Sequence, residues 1–166
     1  MRGAMETVYL ESTVISYLVS KPSRDLVVAA HQQITREWWA RRRALFSCSI
    51  SQVVMDEISL GDPDQVAQRL AIARALPKLP ITPSVSQLAA EFVKAGALPP
   101  IAAADAVHVA VATVTGTDYV LTWNCRHIAN GQLLKKMTAV AERFGYRLPD
   151  VQTPEELMGD AADEQL

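Results

Sequence analysis

The stretch IAAADAVHVAVATVTGTDYVLTW, residues 101–123, indicates the fold class of this chain. Its first part is rich in Ala and Val on every side of a helical wheel, which predicts a helix over 101–115 that is buried nearly all round. Gly116-Thr117-Asp118 has the composition of a turn, and the apolar run over 119–123 predicts a buried strand. A buried helix followed directly by a buried strand is typical of α/β proteins.

The same alternation of helices and strands runs along the rest of the chain. The predicted strands cover 7–10, 44–48, 79–82 and 119–123, and the predicted helices cover 14–18, 25–43, 49–60, 63–76, 85–95, 101–115 and 132–144. A cap at Thr153-Pro154-Glu155-Glu156 predicts a last helical turn. We therefore predict an α/β fold with a central, mostly parallel sheet flanked by helices on both faces. We expect a single domain over 1–166, with its core over about 7–144 and an acidic segment over 148–166.

The composition excludes several classes of protein. Of the 166 residues, 49% are hydrophobic and 20% are charged, which is ordinary for a globular domain. No apolar run reaches the ~18 residues of a membrane span, and the N-terminus does not lead into the apolar segment of a signal peptide. The only cysteines, Cys48 and Cys125, fit a reducing compartment better than a secreted disulfide framework. We therefore expect a cytoplasmic protein that does not bind a membrane.

The charge is unevenly distributed. The net charge is −2, but six acidic and no basic residues follow Arg147, while the rest of the chain has 16 basic and 12 acidic residues. A mildly basic body is compatible with a polyanionic partner and does not require one. The run Arg36-Glu37-Trp38-Trp39-Ala40-Arg41-Arg42-Arg43 combines arginines with aromatic rings, as in surfaces that bind phosphates and stack bases. It also fits the solvated end of a helix whose tryptophans pack on a core or on a partner.

Acidic and polar residues occur where a parallel sheet forms its binding crevice, beyond the carboxyl ends of the strands. Glu11 follows the first predicted strand, and Asn124 follows the strand over 119–123. Glu57 shares the inward stripe of its helix, and Asp105 lies in the most apolar helix. Carboxylates that converge repel each other unless a cation such as Mg²⁺ or Mn²⁺ offsets their charge. Glu11, Glu57 and Asp105 are therefore candidate metal ligands, and Asn124 is a candidate neutral ligand or water-positioning residue.

Each of these residues also has a purely structural interpretation. Asp105 could lie at the positive end of its helix dipole, and Glu11 could cap the helix that follows it. Glu57 could pair with an arginine of the helix over 63–76. His108, in the middle of an apolar helix, is expected to be a hydrogen-bonded core histidine rather than a ligand. Glycine-rich phosphate loops, Cys-x-x-Cys pairs and nucleophile elbows are absent from the sequence, so nucleotide binding, zinc binding and serine hydrolysis have no support.

Four segments of the sequence form a recognisable set. They are YLESTVIS (9–16), VVMDEI (53–58), ADAVHVA (104–110) and LTWN (121–124). In their order and separations they resemble the four signature segments of the PIN domain. The nearest resemblance is to the VapC-type toxins of bacterial toxin–antitoxin pairs, and it covers about residues 7–144.

This resemblance implies a five-stranded parallel sheet and a Mg²⁺- or Mn²⁺-dependent endoribonuclease that cleaves single-stranded or loop RNA. It also implies an inhibitory antitoxin, for which the helix with Trp38 and Trp39 could form part of the binding groove, and a homodimer. The acidic positions of the family fall on Glu11, Glu57, Asp105 and Asn124. Ser12 or Thr13 falls near the hydroxyl residue that supports the first acid, and Thr13 is the favoured candidate. The arginines that we expect to contact RNA are Arg41, Arg42, Arg43 and Arg126.

The chain departs from the PIN pattern at two site positions. Glu11 stands where aspartate is usual and is one methylene longer, and Asn124 stands where a fourth acid is usual. Three carboxylates in place of four would attract a metal ion less strongly, and the longer side chain would suit Mn²⁺ or a more hydrated ion. Two alternatives therefore stay open. One is a catalytically weak or inactive PIN-fold module that binds RNA or a protein, and the other is a metal phosphohydrolase of small substrates.

Overall fold

The structure is a computed structural model that describes residues 3–159. In this part of the chain the strands are β1 (Thr7–Leu10), β2 (Ser47–Ser51), β3 (Lys78–Leu79), β4 (Tyr119–Leu121) and β5 (Asp150–Gln152). The helices are α1 (Ser12–Val19), α2 (Leu26–Arg41), α3 (Gln52–Ile58), α4 (Pro63–Ala73), α5 (Pro83–Lys94), α6 (Ala103–Val114) and α7 (Gly131–Arg143). Short 3₁₀ turns cover Arg43–Leu45, Pro100–Ala102 and Glu156–Met158. No helix within residues 3–159 is long and apolar enough to cross a membrane.

The strands form one parallel sheet in the order β3-β2-β1-β4-β5. In the central strand β1, Val8, Tyr9 and Leu10 are all 0% exposed. Because successive residues of a strand point to opposite faces, both faces of the sheet must be covered. This confirms the predicted α/β fold with a parallel sheet among helices. The parallel arrangement also brings the residues that follow β1, β2 and β4 to one side of the sheet, which we call the carboxyl edge.

The region around β2 differs from the prediction. The strand begins three residues later than predicted, because Arg43–Leu45 form a 3₁₀ turn, and α3 begins at Gln52. The capping box predicted at Ser49 is not formed, since Ser49 lies inside β2. The N-cap residue of α3 is Ser51, which makes no capping bond with its side chain. Its hydroxyl lies 2.7 Å from the Tyr9 hydroxyl, so a hydrogen bond across the sheet replaces the local cap.

The folded domain extends past the predicted core, because β5 pairs with β4 at one side of the sheet. The predicted cap after β5 is formed: the Thr153 amide donates to Glu156 Oε1 (3.0 Å) and the Glu156 amide donates to Thr153 Oγ1 (3.3 Å). The following turn packs on α2, since the Trp38 indole donates to the carbonyl of Leu157 (3.2 Å). The acidic segment therefore belongs to the fold up to Gly159, and its residues 160–166 lie outside the described part.

Candidate metal centre

Glu11 lies directly after β1 and is the N-cap residue of α1. Its Oε2 accepts hydrogen bonds from the Thr13 amide (3.1 Å), the Thr13 hydroxyl (2.5 Å) and the Thr122 hydroxyl (2.8 Å). The residue is only 3% exposed. Since all three donors reach Oε2, none of these bonds uses Oε1. Glu11 therefore caps its helix, as its structural interpretation expected, and also offers a buried carboxylate oxygen at the carboxyl edge.

The two threonines that hold Glu11 also join neighbouring parts of the carboxyl edge. The Trp123 amide donates to Thr13 Oγ1 (3.0 Å), and the Asn124 amide donates to Thr122 Oγ1 (2.9 Å). Thr13 thus connects the start of α1 with the loop after β4. It contacts Glu11 at the position that the PIN resemblance implies for a supporting hydroxyl.

Glu57 on α3 faces His108 on α6, and the two begin a chain of buried hydrogen bonds. Glu57 Oε1 lies 2.7 Å from His108 Nε2. On the other side of the ring, His108 Nδ1 lies 2.6 Å from the Tyr9 hydroxyl, which in turn lies 2.7 Å from Ser51 Oγ. An arginine partner for Glu57 is not observed in α4, because Arg69 donates to backbone carbonyl groups instead.

The geometry indicates which atoms carry the hydrogens in this series of hydrogen bonds. His108 Nε2 faces a carboxylate oxygen, so it carries a hydrogen and donates it to Glu57. Burial raises the pKa of the Tyr9 hydroxyl, which therefore keeps its proton. When His108 is neutral, Tyr9 donates to Nδ1. When His108 is charged, Nδ1 donates to the Tyr9 oxygen and Tyr9 donates to Ser51.

Burial and charge act in opposite directions on this pair. Burial of the His108 ring lowers its pKa, but the hydrogen bond to Glu57 and the negative charges of Glu11, Glu57 and Asp105 outweigh that effect, so the pKa of His108 is raised. Burial raises the pKa of Glu57, but the hydrogen bond and the charge of His108 outweigh it, so the pKa of Glu57 is lowered. The lowered pKa of Glu57 favours its negatively charged form, and the raised pKa of His108 means that this ring binds its proton more tightly than a free histidine does.

Glu11, Glu57 and His108 converge at the carboxyl edge. Each offers one ligand atom, and these atoms lie within 4.8 Å of one another. Beside them, the Ser12 hydroxyl is near enough to Glu57 to help lower its pKa, but it is buried and has no hydrogen-bond partner of good geometry. Buried hydroxyls are normally paired, so this one marks a position for a further polar group. The cluster could therefore hold a metal ion, with the carboxylates of Glu11 and Glu57 as ligands and His108 hydrogen-bonded to Glu57.

Asp105 and Asn124 lie near this cluster but outside it. Asp105, in the first turn of α6, has its Oδ2 3.1 Å from His127 Nδ1, and its charge contributes to the raised pKa of His108. Asn124 Oδ1 accepts the amide of His127 (3.0 Å), so the amide side chain closes the turn after β4. The structure thus places both predicted site residues around His127.

The predicted RNA-contacting arginines do not lie together. Residues 41–43 lie at the amino-terminal edge of the sheet, opposite the cluster, because α2 ends there and leads into β2. Two of their guanidinium groups lie over aromatic rings, Arg43 at 4.6 Å from the centre of Trp39 and Arg42 at 5.8 Å from the centre of Phe46. Arg126, exposed in the turn after β4, is on the side of the carboxyl edge. RNA contact by these residues stays a prediction.

Trp38 belongs to the core rather than to a surface groove. It is 0% exposed, and its indole N–H donates a hydrogen bond to the carbonyl of Leu157. The Trp38 side chain is thus covered by the protein's own C-terminal turn, and binding of an antitoxin by this helix stays a prediction. Trp39 is partly buried and lies under the Arg43 guanidinium.

Two histidines at the carboxyl edge were not predicted as parts of the site. His108 was expected to be a hydrogen-bonded core histidine, and this is confirmed, but its Nε2 also belongs to the cluster. Its spacing was a usable signal, since His108 lies three residues after Asp105 and thus on the same face of α6. His127 had no comparable signal, because its contact with Asp105 depends on the path of the turn after β4.

Comparisons of the chain with protein-family models, with curated proteins and with solved structures give no match. The resemblance to the PIN domain therefore stays an expectation based on the four sequence segments. The observed fold agrees with it as an α/β architecture with a five-stranded parallel sheet. The case for a function depends on the residues of the carboxyl edge and on their geometry.

Proposed function

We propose that this protein is a divalent-metal-dependent endoribonuclease, the toxin of a toxin–antitoxin pair, and that it hydrolyses phosphodiesters of single-stranded or loop RNA. The observation that carries the proposal is the convergence of Glu11, Glu57 and His108 within 4.8 Å at the carboxyl edge, where open parallel sheets bind their ligands. The choice of RNA as the substrate is supported by the four PIN-like segments.

The donor chemistry of the cluster favours Mg²⁺ or Mn²⁺. His108 Nε2 donates its hydrogen to Glu57, so the ring positions that carboxylate instead of offering a lone pair. The remaining donors are the carboxylates of Glu11 and Glu57. Mg²⁺ typically binds one or two protein carboxylates and keeps several waters, and the unpaired Ser12 hydroxyl suits a hydrogen bond to such a water. A structural Zn²⁺ site would need nitrogen or sulfur ligands in tetrahedral number, which this cluster does not provide.

The protein's own residues would have distinct roles in this reaction. Glu11 is held at Oε2 by three hydrogen bonds, so its Oε1 has a defined position. His108 keeps Glu57 charged and oriented, and Asp105 adds negative charge at the border of the cluster. A bound divalent ion would supply polarisation of a phosphoryl oxygen and a more acidic attacking water.

The proposal includes a cytoplasmic location, an inhibitory antitoxin and a homodimer, which the PIN resemblance supports. One surface of the structure is suited to a protein partner. At the start of α2, the neighbouring apolar side chains Leu26 and Val27 are 86% and 64% exposed, and we propose them as contacts for that partner.

Cleavage of a mixed pool of structured and single-stranded RNA in Mg²⁺ and in Mn²⁺ tests the proposal. Wild type is expected to cut, and a chelator is expected to stop it. Glu57→Gln removes a metal-facing charge with little change of shape, and should lower the rate by at least about 100-fold. Asp105→Asn should lower the cleavage rate by less than Glu57→Gln does, because Asp105 lies outside the cluster. The matched control is Glu142→Gln, an exposed acid near the end of α7, which should cut like wild type.

A folded Glu57→Gln variant that cuts as fast as wild type would show that the cluster is not the active site. Circular dichroism and the thermal midpoint of each variant verify the fold.

A second candidate function is a non-catalytic module that binds RNA or a protein. It is favoured by the side chains of Asp105 and Asn124, which are engaged with His127, so that only two carboxylates converge in the cluster. This candidate predicts RNA binding that persists in chelator and weakens steeply with salt, with no cleavage in either metal.

A further inference from the structure

Three aromatic side chains from separate elements form a stack beside the candidate metal centre. Tyr17 is on α1, His31 is on α2 and Trp123 follows β4. The rings of His31 and Trp123 are stacked, with their centres 3.9 Å apart and 11° between their planes. Tyr17 continues the series, with its ring centre 6.4 Å from that of His31 and 33° between the planes. We call these three residues the aromatic stack.

The rings of the aromatic stack differ in their exposure to solvent. Trp123 is 8% exposed and its indole donates to the Thr35 hydroxyl (2.7 Å), so this ring is fixed in the protein. His31 and Tyr17 are half-buried. Within residues 3–159 no side chain makes a hydrogen bond to the His31 ring, so its position depends on stacking against Trp123. Trp123 is therefore the buried ring of the stack, and His31 and Tyr17 are its partly exposed rings.

Short hydrogen bonds connect the aromatic stack to the metal-facing carboxylate. The Trp123 amide donates to Thr13 Oγ1 (3.0 Å), and the Thr13 hydroxyl donates to Glu11 (2.5 Å). Tyr17 lies on the helix that Glu11 caps. Partial burial and the negative charge of Glu11 raise the pKa of Tyr17, which shows that its ring is within electrostatic reach of that carboxylate. The stack and the cluster are therefore parts of one rigid arrangement.

We propose that the aromatic stack is a nucleobase subsite, in which an unpaired base next to the reacting phosphate stacks on the partly exposed rings of Tyr17 and His31. This inference rests on the proposed nuclease function, because a phosphate held at Glu11 and Glu57 brings its own nucleoside to the neighbouring surface. A protein partner has no such covalent constraint, so the position of the stack favours a base. Base stacking on aromatic rings tolerates any sequence but requires an unpaired base, so the subsite selects single-stranded RNA.

Fluorescence anisotropy with two probes tests the subsite. One probe is a labelled eight-nucleotide oligoadenylate, and the other is an abasic ribose-phosphate oligomer of the same length. Ca²⁺ replaces the catalytic metals, and a gel verifies that the probe stays intact. Wild type should bind the oligoadenylate about tenfold more tightly than the abasic probe, on the scale of one stacked base. Tyr17→Leu should lose this preference, while Tyr17→Phe, which keeps the ring, should retain it.

Binding of the abasic probe should be the same in all three proteins. A preference that survives in folded Tyr17→Leu, or no preference in wild type, overturns the inference. If Tyr17→Leu does not fold, His31→Leu and His31→Phe provide the same comparison, and equal preference in that pair overturns the inference as well.

The inference and the proposed function can fail separately. Suppose that wild type and Tyr17→Phe prefer the oligoadenylate, that Tyr17→Leu does not, and that no metal supports cleavage. The subsite then stands and the nuclease proposal fails. If RNA is cleaved in Mn²⁺ while folded Tyr17→Leu binds and cuts like wild type, the nuclease proposal stands and the subsite is refuted. Loss of binding only to a partner protein in Tyr17→Leu would also refute the subsite.

Discussion

Replacement of Thr13 by valine tests the hydrogen bonds that hold Glu11. Valine keeps the shape and the β-branching of threonine, so the change removes the hydroxyl and little else. That hydroxyl donates to Glu11 Oε2 (2.5 Å) and accepts the Trp123 amide (3.0 Å). Thr13→Val therefore removes one of the three hydrogen bonds to a buried carboxylate and leaves a backbone N–H without its acceptor.

The two losses set the expected size of the effect. A hydrogen bond to a charged group contributes about 1.5–3 kcal/mol, and an unpaired buried donor costs about 1–3 kcal/mol. Thr13 is half-buried, so water can satisfy part of what is lost. We expect the free energy of unfolding to fall by about 2–4 kcal/mol, which corresponds to a lower thermal midpoint by on the order of 5–10 °C in a domain of this size.

Urea unfolding in the presence of a chelator measures this effect without a contribution from metal binding. The matched control is Thr13→Ser, which keeps the hydroxyl and should retain most of the stability. If Thr13→Val stays within about 0.5 kcal/mol of wild type, the size of a neutral surface change, the bonds to Glu11 contribute nothing. If Thr13→Ser loses as much as Thr13→Val, the methyl group and not the hydroxyl is responsible.

Three further predictions concern the neighbouring network and the metal. Tyr9→Phe should lower the free energy of unfolding by about 1–3 kcal/mol in urea titrations, because it leaves His108 Nδ1 and Ser51 Oγ without their partner, whereas Tyr119→Phe, at an exposed bond, should change it little. The pKa of His108 is raised in the fold, so its pair with Glu57 contributes stability that is complete below the ordinary pKa of 6.5 and is lost as the pH rises through the folded pKa. The pKa of Glu57 is lowered, so its contribution is present above its ordinary pKa of 4.5 and is lost as the pH falls through the folded pKa. In chelator, the stability difference between wild type and Glu57→Gln should accordingly be largest between these limits, and a difference independent of pH would contradict this linkage. Finally, Mn²⁺ at about 100 times its dissociation constant should stabilise wild type by about 2.7 kcal/mol, seen as a higher thermal midpoint, and an equal rise in Glu57→Gln would place the ion elsewhere.

The fold was predictable where local pattern and tertiary burial agree. The apolar α6 and the strand after it follow directly from residues 101–123, and the alternation of elements predicts the parallel sheet. The start of α3 was not predictable, because Ser51 bonds to Tyr9 across the sheet instead of capping its helix. β5 was missed because a three-residue strand in an acidic segment has no periodicity, and only its pairing with β4 makes it a strand.

The candidate site was predictable as a location and less so as a set of contacts. Residues that follow parallel strands meet at the carboxyl edge whatever their side chains, so Glu11 and Asn124 could be placed there from the sequence. Which groups pair is decided by the distances between helices, which no local pattern encodes. As a result, Glu57 pairs with His108 and does not pair with Asp105. Asp105 pairs with His127 instead.

The contacts of the cluster also indicate how the proposed metal site would work with fewer acids than the PIN pattern has. Glu11 Oε2 accepts three hydrogen bonds, so this oxygen is less available to an ion, and the neutral side chain of Asn124 closes the turn after β4. The Glu57 carboxylate is hydrogen-bonded to His108, which lowers the pKa of Glu57 and keeps it charged. Attraction for a divalent cation should therefore depend on Glu57 more than on Glu11. In the proposed metal site, His108 would therefore take over part of the electrostatic role that a fourth acid has in the PIN pattern, because it keeps an existing carboxylate charged and does not add another.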